Sequence, residues 1–212
     1  MPSSHLIRNE IAADETSDRG LSDELRIRSL CFANFRSYEY LSLDEIGNLT
    51  IFIGPNASGK TNAIEGIQML TAFGSFRGAK SRELIRWGTQ KATLQAHILS
   101  RSRDLEVYCA VSPGRRECSL NGKHKSIQDM QGVLPSVVFS PDDLQLIKGS
   151  QSYRRTALDL LGCQLSQSYR ILKRDYERLL HHKNALLKNE SDSVLLASVN
   201  DVIRDSAVQL YL

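Results

Sequence analysis

Three features of the 212-residue sequence predict an α/β fold with a helical continuation. An apolar, β-rich run at Leu49–Ile53 enters a glycine-bounded turn and leaves it as an amphipathic helix. Short segments with strand-like composition and a tight-turn signal occupy 91–120. From Asp143 onward, apolar residues recur at helical spacing. Together these specify a mixed sheet around a loop-and-helix unit, an antiparallel β subdomain, and the start of a helical lobe. The expected division is 1–24, an acidic extension; 25–143, the sheet-bearing lobe; and 144–212, part of a helical lobe.

Each element has its own warrant. Leu25–Phe32 partly alternates and suits an edge strand; Tyr38–Leu43 suits a second. Leu49–Ile53 reads as a strand buried on both faces, because it carries no polar alternation. The helix predicted from Gly59 to Phe73 places Ile64, Ile67 and Leu70 on one face. Thr93–Leu99, Leu105–Val111 and Glu117–Leu120 read as strands, and Asn121-Gly122 as a hairpin turn. Ser136–Phe139 is a further buried-strand candidate, ended by Ser140-Pro141. Tyr169, Leu172, Tyr176, Leu179 and Leu180 mark a long helix, and Val194–Leu212 marks another. At this spacing the two tyrosines face the core.

Composition narrows the class. Hydrophobic residues make up 41% and charged residues 24%, which excludes a disordered or collagen-like chain. The net charge of +3 is uneven: residues 1–24 hold two basic and six acidic residues, a net −4, so the rest carries +7. Within 148–188, nine Lys and Arg stand against three acids. A basic body of this kind suits a polyanionic partner. No run approaches the roughly 20 apolar residues of a membrane span, and no apolar h-region opens the sequence. The four cysteines Cys31, Cys109, Cys118 and Cys163 form no C-x-x-C pair, so reduced thiols in a cytoplasmic protein are expected.

The chemistry lies in Gly54-Pro55-Asn56-Ala57-Ser58-Gly59-Lys60-Thr61, a full match to G-x-x-x-x-G-K-[ST] between strand and helix. Gly54 and Gly59 permit backbone geometry that points successive N–H groups at a phosphate. The positive end of the helix adds to that field. Lys60 supplies a mobile point charge between β- and γ-phosphates, and Thr61 a hydroxyl for Mg²⁺. ATP with Mg²⁺ is the implied ligand. The second magnesium carboxylate is harder to place. Asp142 and Asp143 follow the Val137–Phe139 run, but Ser140-Pro141 shifts them off the strand end, where an N-cap role is the stronger reading.

Several separated segments resemble the RecF family of recombination-repair ATPases, related to SMC proteins. They are Leu30–Tyr38, with Asn34-Phe35-Arg36; Gly54–Asn62; Ser75-Phe76-Arg77; Glu83-Leu84-Ile85; and Asn121-Gly122-Lys123. The most specific are Val138–Gly149, Arg154-Arg155 and Leu158-Asp159, continued by Tyr176, Leu179, Leu180 and Lys183–Leu187. The resemblance implies an α/β P-loop head of ABC type and a protein acting in recombinational repair, replication, gap repair, recombinase loading and the SOS response. It implies ATP-dependent homodimerisation in the complete protein, single- and double-stranded DNA as partners, and RecR- and RecO-like proteins beside it. It also places Arg36 near the nucleotide phosphates and Asn62 in the binding loop. Arg170, Lys173, Arg174 and Arg178 are the DNA-contact candidates.

Two departures from the family pattern matter. Ser58 stands where the family usually has Gln, and Ala57 where SMC and transporter loops favour Gly. The L-S-x-G-Q signature and a later apolar-run-plus-Asp motif are absent from this sequence, and Leu165-Ser-Gln-Ser168 lacks the glycine that would substitute. The sequence therefore reads as an N-terminal portion that binds ATP without turning it over. The competing readings are a P-loop kinase or other small NTPase, and a DNA-binding module with a vestigial nucleotide site.

Overall fold

The computed structural model describes residues 25–100, 103–188 and 193–211; the predicted extension at 1–24 lies outside them. The chain divides between Val138 and Phe139 into two compact units.

The first unit is built on one six-stranded sheet in the order β2-β1-β3-β4-β5-β6. Its strands are β1 (Arg26–Phe35), β2 (Tyr38–Leu43), β3 (Ala92–Ser100), β4 (Arg103–Ser112), β5 (Arg115–Leu120) and β6 (Lys123–Lys125). Every ladder between them is antiparallel. The expected edge strand is thus an interior one: β1 pairs with both β2 and β3. The 91–120 segments join β1 and β2 in the same sheet. Asn121 and Gly122 both take positive φ, 50° and 73°, at the two-residue turn between β5 and β6.

Helix α1 (Lys60–Thr71) packs against this sheet, and a short helix α2 (Ser81–Leu84) precedes β3. Its buried face is Ala63, Gly66, Met69 and Leu70, with Glu65 among them, whereas Ile64 and Ile67 stay half-buried. The predicted stripe is therefore rotated: Leu70 is buried as expected, but Gly66 and Met69 take the inner positions instead of Ile64 and Ile67. A Cβ at Gly66 would collide with Cε2 of Phe32, which is fully buried and packs edge-on against Phe35 with centroids 5.7 Å apart. Cys109 and Cys118, nine positions apart in sequence, face each other across β4 and β5 with Sγ atoms 3.6 Å apart. Their shared hydrogen bond and burial push the Cys109 thiol up. Cys31 and Cys163 are only half-buried.

Two predicted buried strands are not strands here. Leu49–Ile53 joins no ladder among the described residues, and Leu49, Ile51 and Ile53 are exposed while Phe52 packs on the core. Residues 136–139 likewise form no ladder, and Val137 and Phe139 are exposed. The apolar pattern records surface suited to a sheet interior, but pairing needs a neighbouring strand, and none of the described residues supplies it.

The second unit is helical. A 3-10 turn at Pro141–Leu144 leads to α3 (Gln145–Lys148), α4 (Gln151–Leu165), α5 (Gln167–Lys188) and α6 (Ser193–Tyr211). Ser150 caps α4 by accepting from Tyr153 N at 3.3 Å. Ser166 ends that helix and starts the next, its Oγ accepting from Tyr169 N at 3.1 Å. The Leu165–Ser168 stretch is thus a helix junction. None of the described helices is long and apolar enough to cross a membrane.

The close approach of α1 to β1 predicts the outcome of one substitution. Gly66→Ala gains about 1 kcal/mol of helix propensity but should still lose stability, by about 1–3 kcal/mol net, because Phe32 has nowhere to go. Urea denaturation measures this, and adding Phe32→Leu should recover part of the loss.

Candidate functional site

The site joins two local structures, the turn between β1 and β2 and the loop leading into α1. Gly59 caps α1 at φ 101°, a conformation that disfavours any side chain. A Cβ there would also lie 2.9 Å from the Tyr38 hydroxyl. That hydroxyl, buried, donates to the Gly59 carbonyl at 3.0 Å, and burial pushes the Tyr38 phenol up so that it stays a donor. Ala57 takes φ 64°, a left-handed conformation costly for alanine, which is the physical reason glycine suits this position. Lys60 Nζ lies within the loop, donating to the carbonyls of Gly54 at 2.8 Å and Pro55 at 2.7 Å. Gly54, Pro55 and Asn56 are exposed along the loop, and Thr61 is exposed on the first turn of α1. Asn62 is held from both sides: its Nδ2 donates to Ser37 Oγ at 2.9 Å, and its Oδ1 accepts from Arg77 Nη1 at 3.2 Å.

Beneath this loop lies a charge network. Arg36 donates through Nε and Nη2 to the two carboxylate oxygens of Glu65, both at 2.8 Å, and through Nη1 to the Glu83 carbonyl at 2.8 Å. Its own N–H donates to the Leu84 carbonyl at 2.8 Å. These four bonds hold a non-glycine residue at φ 52°. Glu65 has no exposed side-chain surface; Ser75 Oγ also donates to it at 2.5 Å, and Arg77 Nη1 stands 3.7 Å away. The guanidinium of Arg36 therefore sits on Glu65, one helical turn beyond Thr61.

In the second unit, Lys173 donates to Asp159 at 2.9 Å and Glu177 at 2.7 Å. Tyr169 Oη donates to Asp159 at 2.6 Å, so this tyrosine does face inward, toward α4. Burial pulls Lys173 down, but its bonds to Glu177 and Asp159 carry it above the ordinary lysine value. Tyr169 is pushed up to about 12, chiefly by its bond to Asp159. Arg174 and Arg178 pair with Asp175 at 3.0 Å and 3.7 Å, and Arg170 lies half-buried one turn before Arg174. Asp143 accepts from the Ser140 backbone N–H, which is a capping contact. Among the described residues no cluster of three or more His, Cys, Asp or Glu is arranged to hold a metal ion.

Comparison with known proteins establishes the family. The AAA domain family matches residues 29–191. The DNA replication and repair protein RecF of Clostridium novyi is 36% identical over 179 residues, 82% of this chain and 49% of that protein. Its counterpart from Tropheryma whipplei is 35% identical over 180 residues, 84% of this chain and 50% of that protein. The chain belongs to the RecF family. It spans about half the length of the RecF relatives it matches. A solved structure of the recombination mediator protein RecF-ATP in the RecFOR pathway superposes with a TM-score of 0.85 at 23% identity, covering 92% of this chain and 54% of that one. An SMC ATPase, from work on ATP-driven dimerization and DNA stimulated activation, gives 0.51 at 21% identity, covering 64% of this chain and 98% of that one. The fold is thus an α/β P-loop head of the ABC type.

The Gly54–Thr61 loop is evident in the sequence as a candidate phosphate site, whereas Glu65, which joins the loop helix to the β1–β2 turn, is not. The available signal was a carboxylate between Ala63 and Gly66 on the helix face that packs on the sheet. It gained meaning only once Arg36 was seen to reach it.

Two outcomes follow. Arg36→Ala leaves the buried Glu65 carboxylate with only Ser75 and the more distant Arg77 and should cost about 3–5 kcal/mol, whereas the paired Arg36→Met/Glu65→Gln change should cost much less; urea denaturation of each variant decides. Separately, the raised Tyr169 and Lys173 values mean that α4–α5 stabilisation is complete below about pH 10 and is lost as the pH climbs through about 12. Far-UV circular dichroism should show this alkaline loss diminished in Tyr169→Phe.

Proposed function

We propose that this chain is the ATP-binding half of a DNA repair and replication ATPase, acting in recombinational gap repair. The observation that supports this best is the position of Lys60, already inside the Gly54–Thr61 loop and bonded to its carbonyls. An entering polyphosphate exchanges those neutral acceptors for charged oxygens without requiring the side chain to move far. The backbone N–H groups of the loop and the N-terminus of α1 hold the β-phosphate. Thr61, exposed on the first helical turn, is the magnesium ligand; the ion neutralises charge on the phosphate oxygens when bound. Asn62, fixed between Ser37 and Arg77, orients the mouth of the loop. Arg36 contributes mainly by holding the β1–β2 turn against α1, since its donors are directed at Glu65 and Glu83.

Asp143 is not proposed as a magnesium ligand, because its carboxylate accepts from the Ser140 backbone N–H. The L-S-x-G-Q signature is not in this sequence, and the Ser166 junction caps a helix, so hydrolysis by this chain alone is slow. Partners are single- and double-stranded DNA, RecR- and RecO-like proteins, and a second ATP-bound copy in the complete protein, with the work done in the cytoplasm. Arg170, Arg174 and Arg178 are the helical-lobe candidates for DNA phosphate. Lys173 is a weaker one, because Asp159 and Glu177 already take its charge. Family membership displaces the small-molecule kinase reading.

Titration calorimetry should show saturable Mg²⁺–ATP binding, weakened about 10- to 150-fold by Lys60→Ala, the loss expected for a charged hydrogen bond. Turnover should stay far below the usual enzyme range of about 1–1000 per second. Turnover inside that range would overturn the proposal that this half lacks part of the catalytic machinery.

A further inference from the structure

The chain has a single tryptophan, Trp87, and it is 95% exposed. It is not on a loose tail. Ile85 pairs with Phe35, Arg86 N donates to the Asn34 carbonyl at 2.8 Å, and Leu84 and Ile85 are buried. Immediately after, Thr89 donates to the Arg86 carbonyl through both its N–H, at 3.1 Å, and its Oγ1, at 2.8 Å. Gly88, at φ 82°, closes the turn. Trp87 therefore projects from the tip of an anchored turn.

Its setting along the chain is cationic. Lys80, Arg82, Arg86 and Lys91 flank it, against a single acid, Glu83, whose carboxylate is occupied by the Lys80 backbone N–H at 2.9 Å. Arg86 makes a surface pair with Glu39 at 3.2 Å, both side chains substantially exposed. Such a pair is weak and screened by salt, so it yields readily to a phosphate. The residues following the indole are Gly88, Thr89 and Gln90, which offer no apolar surface to pack with it. A protein partner would bury Trp87 within an apolar patch and would have to desolvate the neighbouring cations. A duplex hides its base faces in the stack. An unpaired strand offers an open base for the indole and phosphates for the cations.

We propose that the Arg86–Thr89 turn is a base-stacking contact for single-stranded nucleic acid, with Trp87 receiving a base and Arg82, Arg86 and Lys91 facing its phosphates. This rests on the DNA-acting reading above and adds a location that the helical-lobe candidates do not include.

Because Trp87 is the only tryptophan, its emission reports on this turn alone. Titrating the 212-residue chain with a short oligo-dT at low salt should quench it. The association constant should fall by about 0.7 log units per log unit of salt for each phosphate contacted. By fluorescence anisotropy of a dye-labelled oligonucleotide, Trp87→Ala should weaken binding about 5- to 150-fold, with Trp87→Phe keeping most of the affinity. Oligonucleotide binding without a change in emission would sink this turn as the contact while leaving the DNA reading intact; no binding at all would remove both. Equal quenching by a duplex overturns the single-strand assignment. Quenching by Mg²⁺–ATP alone would assign the indole to the nucleotide, and a shift that tracks protein concentration would assign it to a second copy.

Discussion

The bidentate pair between Arg36 and Glu65 is the contact on which the nucleotide loop depends. Glu65 belongs to the helix that the loop opens, and Arg36 to the turn that lies against the loop. A buried carboxylate with no counter-charge is costly enough that this pair cannot separate without disturbing both elements. The same arginine is held at positive φ by its backbone bond to Leu84 and its side-chain bond to the Glu83 carbonyl. One residue thus ties together the β1–β2 turn, α1 and the segment before Trp87.

That tie explains how a flexible glycine loop acquires a definite shape. Once Arg36 fixes the turn, Ser37 and Tyr38 follow it in sequence and meet Asn62 and Gly59. Tyr38 does two things at once: it orients the Gly59 carbonyl and fills the space that a Cβ would need. On the other side Phe32 presses into the gap left by Gly66. The loop is bracketed by aromatic rings from β1 and β2, each meeting a glycine of the loop–helix unit. These contacts restrict the conformations open to the loop–helix unit before any ligand binds.

The helical unit shows the same economy of charge. Read along the sequence, Lys173, Arg174 and Arg178 form a basic stripe. In three dimensions Lys173 is a clamp between α4 and α5, shared by Asp159 and Glu177, and Asp175 engages both arginines. A count of cations measures attraction for a polyanion only after the internal pairs are subtracted.

Much was legible in the sequence alone because it depends on local rules. The G-x-x-x-x-G-K-T spacing, the helix beginning at Lys60, the Tyr38–Leu43 strand, the Asn121-Gly122 turn and the long helices all follow from backbone preference and short-range periodicity. Family membership was legible too, since it is carried by ordered motifs. The tertiary structure decided what depends on neighbours distant in the chain. It put β1 inside the sheet, rotated the buried face of α1, left Leu49–Ile53 unpaired and delivered Arg36 to Glu65 across 29 positions. The physical reason is the same in each case: a residue's pattern states what it is suited to touch, and only the assembled chain determines what is there to be touched.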